Sequence, residues 1–305
     1  MGRRTVERHG PDCTEVCRLN LVSPVPLPQR IDFSGWVNRL GSGDPRGICG
    51  SMQLLCTAML LMNTRDFMFQ VKICGVTSVE DAMMIADSGA DAIGLNFITG
   101  SPRCLDLKRA TEISKNLPIG IVRIGVFVGR PSSEMLSFAK QIGLDAIQLH
   151  GLFDGPPEKS DPPWRCDELK PYPVIRVVRL EKPSIDPDRF ATARQWIDAA
   201  AACGCRPAMA LLDAGVSRGV NAGALGGTGQ TVDWQAVADV PVLPVPTTLA
   251  GGLTPDNVTD AIQTTRAIAV DTASGVESSP GQKDPNLVRR FVEAAKQAFS
   301  EQAKD

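Results

Sequence analysis

From Phe69 onward, short apolar runs alternate with segments of helical periodicity. The runs are "FQVKIC", "AIGLNF", "IVRIGVFV", "AIQLH", "VIRVVR", "AMALLD", "VPTTLA" and "AIAVDT". Between them lie helix-prone stretches. "SVEDAMMIADSG" follows the cap signal Thr77-Ser78 and stops at a glycine, as a helix should. "DLKRATEISKNL" puts Leu107, Ala110 and Ile113 on one face. "SSEMLSFAKQIG" opens on a serine cap, and "TPDNVTDAIQTT" opens on a threonine cap with proline at the first helical position. "DPDRFATARQWIDAAAACG", "VDWQAVADV" and "DPNLVRRFVEAAKQAFS" complete the set. Strands alternating with helices imply a parallel sheet. Eight apolar runs predict an α/β fold of the (β/α)8 TIM-barrel type, ahead of its main alternative, a doubly wound open sheet.

A barrel of this kind places its active site at the C-terminal ends of the strands. Polar and glycine residues collect there: Cys74-Gly75 after the first run, Asn96 and Ser101–Arg103 after the second, His150-Gly151 after the fourth. Asp213 ends the sixth, Gly251-Gly252 the seventh, and Asp271 and Ser274-Gly275 the eighth.

The first 67 residues differ. They hold proline- and arginine-rich pieces and no strand–helix alternation. They are expected to form an irregular, poorly ordered extension, or to reflect a start assigned too far upstream, since Met68 is placed to begin a complete protein. The catalytic domain is then 68–305. The apolar stretch Ser51–Asn63 is too short to span a bilayer and lies far from Met1 for a signal peptide.

Composition narrows the classes. The 305 residues are 43% hydrophobic and 22% charged, with net charge -2, the proportions of a soluble globular protein. The absence of a basic excess, with aromatics at 5%, argues against a nucleic-acid partner, and the absence of a long apolar run against a membrane one. Nine cysteines, an odd number, read as scattered thiols in a reduced cytoplasmic protein rather than a disulfide framework. His9, Cys13 and Cys17 form only a weak zinc pattern, so no metal and no cofactor are expected.

Two glycine turns on consecutive strands, at Gly251-Gly252 and Ser274-Gly275, suit a phosphate: glycine lets bare N–H groups approach the anion, and a following helix N-terminus adds positive charge. "GGTGQTVDW", Gly226–Trp234, joins the same cradle or covers it. Cys74 stands open between a buried core residue and a base. Lys72, two residues earlier, points the same way but deeper, and either tunes the thiol or pairs with an acidic neighbour. Asp213 ends an apolar strand and suits an acid or the cap of the next element.

At these residues the sequence resembles the phosphoribosylanthranilate isomerase family. The motifs are "KICGVTSVEDA", "GADAIGLNF", "SPR", "IGVFV", "LDAIQLHG", "LLD", "GGTG", "DW", "LAGGLTPDNV" and "SGVESSPGQKD", from about Val71 to Phe299. The resemblance implies a cofactor-free Amadori rearrangement of N-(5-phosphoribosyl)anthranilate in tryptophan biosynthesis, by a monomer or homodimer. It implies Cys74 as general base and Asp213 as general acid. Arg103 would hold the anthranilate carboxylate, and Gly227, Gly251, Gly252, Ser274 and Gly275 the phosphate. His150 and Asp271 line the site by position. The sequence departs from the family at "DTASG", at Cys104 where an aromatic residue is more usual, and in a long stretch after the fourth strand, Gly155–Pro173, expected to be a surface insertion. The rivals are indole-glycerol-phosphate synthase, which needs a strand-end lysine acid where this chain has Cys74, and a non-catalytic sugar-phosphate binder, which need keep neither Cys74 nor Asp213.

Overall fold

The computed structural model describes residues 69–152, 156, 158–180, 187–214, 234–239 and 242–304. The extension, Met68, Gly227 and all of the glycine cluster except Trp234 lie outside them.

Eight parallel strands close on themselves in sequence order, with β1 paired to β8. They are β1 Val71–Cys74, β2 Ala92–Asn96, β3 Val122–Phe127, β4 Ala146–Leu149, β5 Val174–Leu180, β6 Met209–Ala214, β7 Thr247–Ala250 and β8 Ala269–Thr272. Each lies within or within one residue of an apolar run of the sequence. The helices are α1 Val79–Asp87, α2 Leu107–Asn116, α3 Ser132–Ile142, α4 Arg165–Glu168, α5 Pro187–Ala202, α6 Trp234–Ala238, α7 Val258–Thr265 and α8 Pro285–Gln302. Between β8 and α8 lie a 3-10 turn, Ser274–Val276, and a small antiparallel pair, β9 Glu277–Ser279 and β10 Gln282–Lys283.

The strand period of two divides the core. Outward residues such as Val71, Ile73, Ile93, Leu95 and Val270 join the helices in one cluster. Inward residues form a second, including Ala92, Ile124, Ala146, Ile175, Met209, Leu211 and Ala269. Burial of both strand faces explains the nearly continuous apolar runs. It also fixes what β1 offers the interior. With Val71 and Ile73 outward, Lys72 and Cys74 point in.

Three local expectations change. Helix α7 begins at Val258 rather than at Thr254-Pro255, because Asn257 builds a turn first: its Oδ1 accepts from the Thr254 N–H at 2.8 Å and its Nδ2 donates to the Gly252 carbonyl at 3.1 Å. Ser132 does not cap α3; its hydroxyl donates to Glu168 at 2.6 Å, and Pro131 holds the cap position. The stretch after β4 is more than a surface insertion, since Asp161, Cys166 and Leu169 are wholly buried.

Candidate active site

The strand ends converge on one cleft, lined by Cys74, Asn96, Arg103, Gln148, His150, Asp213, Gly251, Gly252, Asp271 and Ser274 among others. Eight of the ten site residues expected from sequence therefore meet. Gly275 stands just behind Ser274, and Gly227 is outside the described residues.

Cys74 ends β1 facing inward. Gly94 on β2 lies opposite it in the register, and a Cβ there would come 2.5 Å from the sulfur. The thiol occupies the space that this glycine leaves. Below it, Lys72 is wholly buried and donates to Asp271 Oδ2 at 2.9 Å. The two are register partners on β1 and β8, so the barrel itself brings them together. Lys72 thus has an acidic neighbour to pair with, Asp271, and it also lies close enough to Cys74 to act on the thiol. Burial opposes the ammonium charge, but Asp271 and Cys74 outweigh it and hold Lys72 above the usual lysine value. For the thiol, burial dominates and pushes its pKa up, while Lys72 and Lys283 pull it down.

Arg103 enters from the loop after β2. Asn96 shapes that loop, accepting from the Ile98 N–H at 2.7 Å and donating to Ser101 Oγ at 3.2 Å. The guanidinium then crosses Gly75, where a Cβ would lie 2.2 Å from Arg103 Cδ. Only glycine admits that crossing, and its φ of +72° suits glycine as well. Cys104 is exposed and is not among the cleft residues.

On the far wall, His150 Nε2 and Asp213 Oδ2 are 3.4 Å apart. Asp213 is 8% exposed and lines the cleft. The backbone at His150 is held by Arg179 of β5, which donates to its carbonyl at 2.7 Å. The neighbouring Gly151 N–H donates to buried Asp161 at 2.6 Å. At the third wall, Gly251 and Gly252 have φ of +92° and +68°, a left-handed turn after β7 that other residues rarely adopt. Gly275 is required by packing: a Cβ there would meet the Leu253 carbonyl at 1.8 Å.

Among the described residues, three buried polar atoms of the cleft make no hydrogen bond: Gln148 Oε1, Asp271 Oδ1 and His150 Nε2, whose 3.4 Å approach to Asp213 lacks hydrogen-bond geometry. Buried polar atoms are rarely left so, and a polar ligand or an ordered water would satisfy them. Gln148 was not singled out from sequence. It stands two residues before His150 on β4, so the strand period carried the signal. Glu277 and Lys283 were likewise passed over, although both sit in the motif "SGVESSPGQKD". Among the described residues, no group of three or more His, Cys, Asp or Glu could hold a metal ion, and no helix is long and apolar enough to cross a membrane. His9, Cys13 and Cys17 fall outside the described residues.

Comparison with known proteins gives the family. Residues 71–294 fit the model of the N-(5'-phosphoribosyl)anthranilate (PRA) isomerase family. The N-(5'-phosphoribosyl)anthranilate isomerase of Geobacter sulfurreducens is 40% identical over 230 residues, covering 75% of this chain and 99% of that protein. That of Myxococcus xanthus is 39% identical, covering 74% and 96%. The crystal structure of phosphoribosyl anthranilate isomerase from Thermotoga maritima superposes with TM-score 0.63 at 34% identity, covering 75% of this chain and all of that one. Another structure of such an isomerase, in complex with reduced 1-(o-carboxyphenylamino)-1-deoxyribulose 5-phosphate, gives 0.59 at 31% identity, with 75% and 100% covered. A closed eight-stranded barrel and a family match across nearly all of it agree, and the chain belongs to the phosphoribosylanthranilate isomerase family, intramolecular isomerases of tryptophan biosynthesis.

Proposed function

We propose that this cleft converts N-(5-phosphoribosyl)anthranilate to 1-(2-carboxyphenylamino)-1-deoxyribulose 5-phosphate, with Cys74 as general base and Asp213 as general acid. The observation that carries the reading is that the Cys74 thiol and the Asp213 carboxyl, from β1 and β6, border one cleft. A sugar held between them has an acid on one side and a base on the other.

The steps balance without an external oxidant. Asp213 donates a proton to the ribose ring oxygen, the bond from C1′ to that oxygen breaks, and the anilino nitrogen lone pair closes an iminium. Cys74, as thiolate, removes the proton on C2′, and those electrons neutralise the iminium to give an enolamine. The enolamine gains a proton at C1′ and loses its enol proton, leaving the ketone. The enzyme has moved one proton from Asp213 to Cys74, and exchange with solvent resets it.

The phosphate sits on the Gly251-Gly252 turn and the Ser274-Gly275 turn; Gly227, the remaining contact that the resemblance implies, lies outside the described residues. What supports this is that Gly251, Gly252 and Ser274 line the cleft, the two glycines in a left-handed turn that lets backbone approach an anion closely. Arg103 meets the anthranilate carboxylate. Asp271 Oδ1, Gln148 and His150 face the ribose, which would satisfy their orphaned atoms.

Purified protein should consume phosphoribosylanthranilate with loss of its fluorescence and no added metal. Cys74→Ala and Asp213→Asn should each lower kcat by about 10²–10⁴-fold, the usual contribution of a positioned acid or base, with little change in KM. Near-normal turnover by Asp213→Asn would overturn the acid assignment.

A further inference from the structure

Glu277 and Lys283 are buried beside the cleft but do not line it. Glu277 uses both oxygens. Its Oε1 accepts from Arg103 Nε at 2.8 Å and from Lys283 Nζ at 2.7 Å, and its Oε2 accepts from Arg103 Nη2 at 2.6 Å. Lys283 also donates to the backbone carbonyls of Cys74, at 2.7 Å, and Ala273, at 3.0 Å. Three acceptors match the three protons of an ammonium, so the geometry fits charged Lys283 although burial works against that charge. Two cations and one carboxylate leave one unit of positive charge in a nearly dry space.

We infer that Glu277 and Lys283 are positioning residues with separate tasks: Glu277 clamps Arg103 so that Nη1 is presented to an aromatic carboxylate, and Lys283 fixes the backbone that carries the Cys74 thiol. The inference rests on the reading of the cleft as an anthranilate-ribotide site. Clamping two of the three guanidinium nitrogens removes rotational freedom that a carboxylate would otherwise have to remove on binding. The single excess charge is the one that a substrate carboxylate neutralises. The small β9–β10 pair brings Glu277 and Lys283 together, in register across the strands. That gives a physical purpose to the motif "SGVESSPGQKD", whose glycine turn alone would serve a phosphate.

The test compares two ligands on full-length protein by titration calorimetry. One is reduced 1-(o-carboxyphenylamino)-1-deoxyribulose 5-phosphate, and the other is the same compound without its carboxyl group. Glu277→Gln should weaken the carboxylated ligand about 10- to 100-fold, the range of a lost charge-assisted contact, and leave the other unchanged. In an Arg103→Met background the same change should add no further loss. Lys283→Met should do the reverse, lowering kcat on phosphoribosylanthranilate with less than a twofold change in KM. Equal loss for both ligands in Glu277→Gln, or none for either, overturns the Glu277 assignment. Parallel changes in kcat and KM overturn the Lys283 assignment, and this arm stands even where Glu277→Gln fails to fold. If the wild type turns over no phosphoribosylanthranilate and binds neither ligand, the proposed function fails first and this inference with it.

Discussion

The two sides of the barrel mouth treat charge differently. On the β8–β1–β2 side, ionisable groups answer one another: Lys72 with Asp271, and Arg103 and Lys283 with Glu277. On the β4–β5–β6 side Asp161 also pairs with Arg165, but the contacts of the β5 arginines include backbone carbonyls that line the mouth. Arg176 is wholly buried, donates to the carbonyls of Leu149 and Gly151 at 3.0 and 2.9 Å, and stands 5.0 Å over the Trp196 ring. Arg179 donates to the carbonyl of His150. The difference follows the chemistry proposed for each side. A thiol must lose a proton, so it is surrounded by cations whose own positions are locked by carboxylates. A carboxyl that must deliver a proton needs a rigid wall, and carbonyls turned toward arginines supply one.

The contrast is most easily broken at Lys72. Lys72→Met leaves Asp271 buried without its partner and should cost about 3–5 kcal/mol, read as a lower urea midpoint with an unchanged slope. The double change Lys72→Met with Asp271→Asn removes both charges and should recover most of that loss. If the single variant is as stable as wild type, the pair is not what holds β1 to β8 at this depth.

On the other side the loss should be smaller. Asp161 accepts from the Gly151 N–H at 2.6 Å and from Arg165 Nη1 at 2.6 Å. Its backbone carbonyl accepts from Trp196 Nε1 at 2.7 Å. Asp161→Asn keeps the shape but turns one acceptor into a donor, at about 1–3 kcal/mol. Its activity loss should exceed what its stability predicts, because the Gly151 backbone sets the place of His150. A variant destabilised as expected, yet with unchanged kcat/KM at a temperature where it is fully folded, would separate the wall from the chemistry.

How legible this was in the sequence depends on the kind of contact. The strands were legible because both faces of a parallel barrel are buried, which leaves continuous apolar runs. Cys74, Asp213 and the Gly251-Gly252 turn were legible because strand ends are fixed by where those runs stop. Even the direction of Lys72 followed from the period of two. Its partner did not, because that depends on which residue of β8 stands opposite, 199 positions away. The Arg103–Glu277 clamp, 174 positions apart, has no periodic signal at all. Asp161 and Cys166 were hidden for a different reason: proline and charge in Gly155–Pro173 look like surface, while backbone-to-carboxylate bonds let the stretch bury.

The smallest expected effect lies in the position of a pH limb, and its sign tests the electrostatic side of the comparison most directly. Cys74 acts as a base only as thiolate, so kcat/KM falls as pH drops through the thiol pKa of the free enzyme. Burial is the largest influence and raises that pKa; Lys72 and Lys283 lower it, and Asp271 raises it. Arg103 faces the same thiol. Asp271→Asn removes an anion from beside the thiol, which favours the thiolate and should move the limb to lower pH. Adding Lys72→Met removes a cation, so the limb should move back up. Alkylation of Cys74 by iodoacetamide across pH, followed on its own peptide, reads the same shifts without reference to substrate binding. Opposite movements in the two variants mean that the ion pair tunes the base. If the limb stays in place in both, Lys72 and Asp271 serve only to hold β1 against β8.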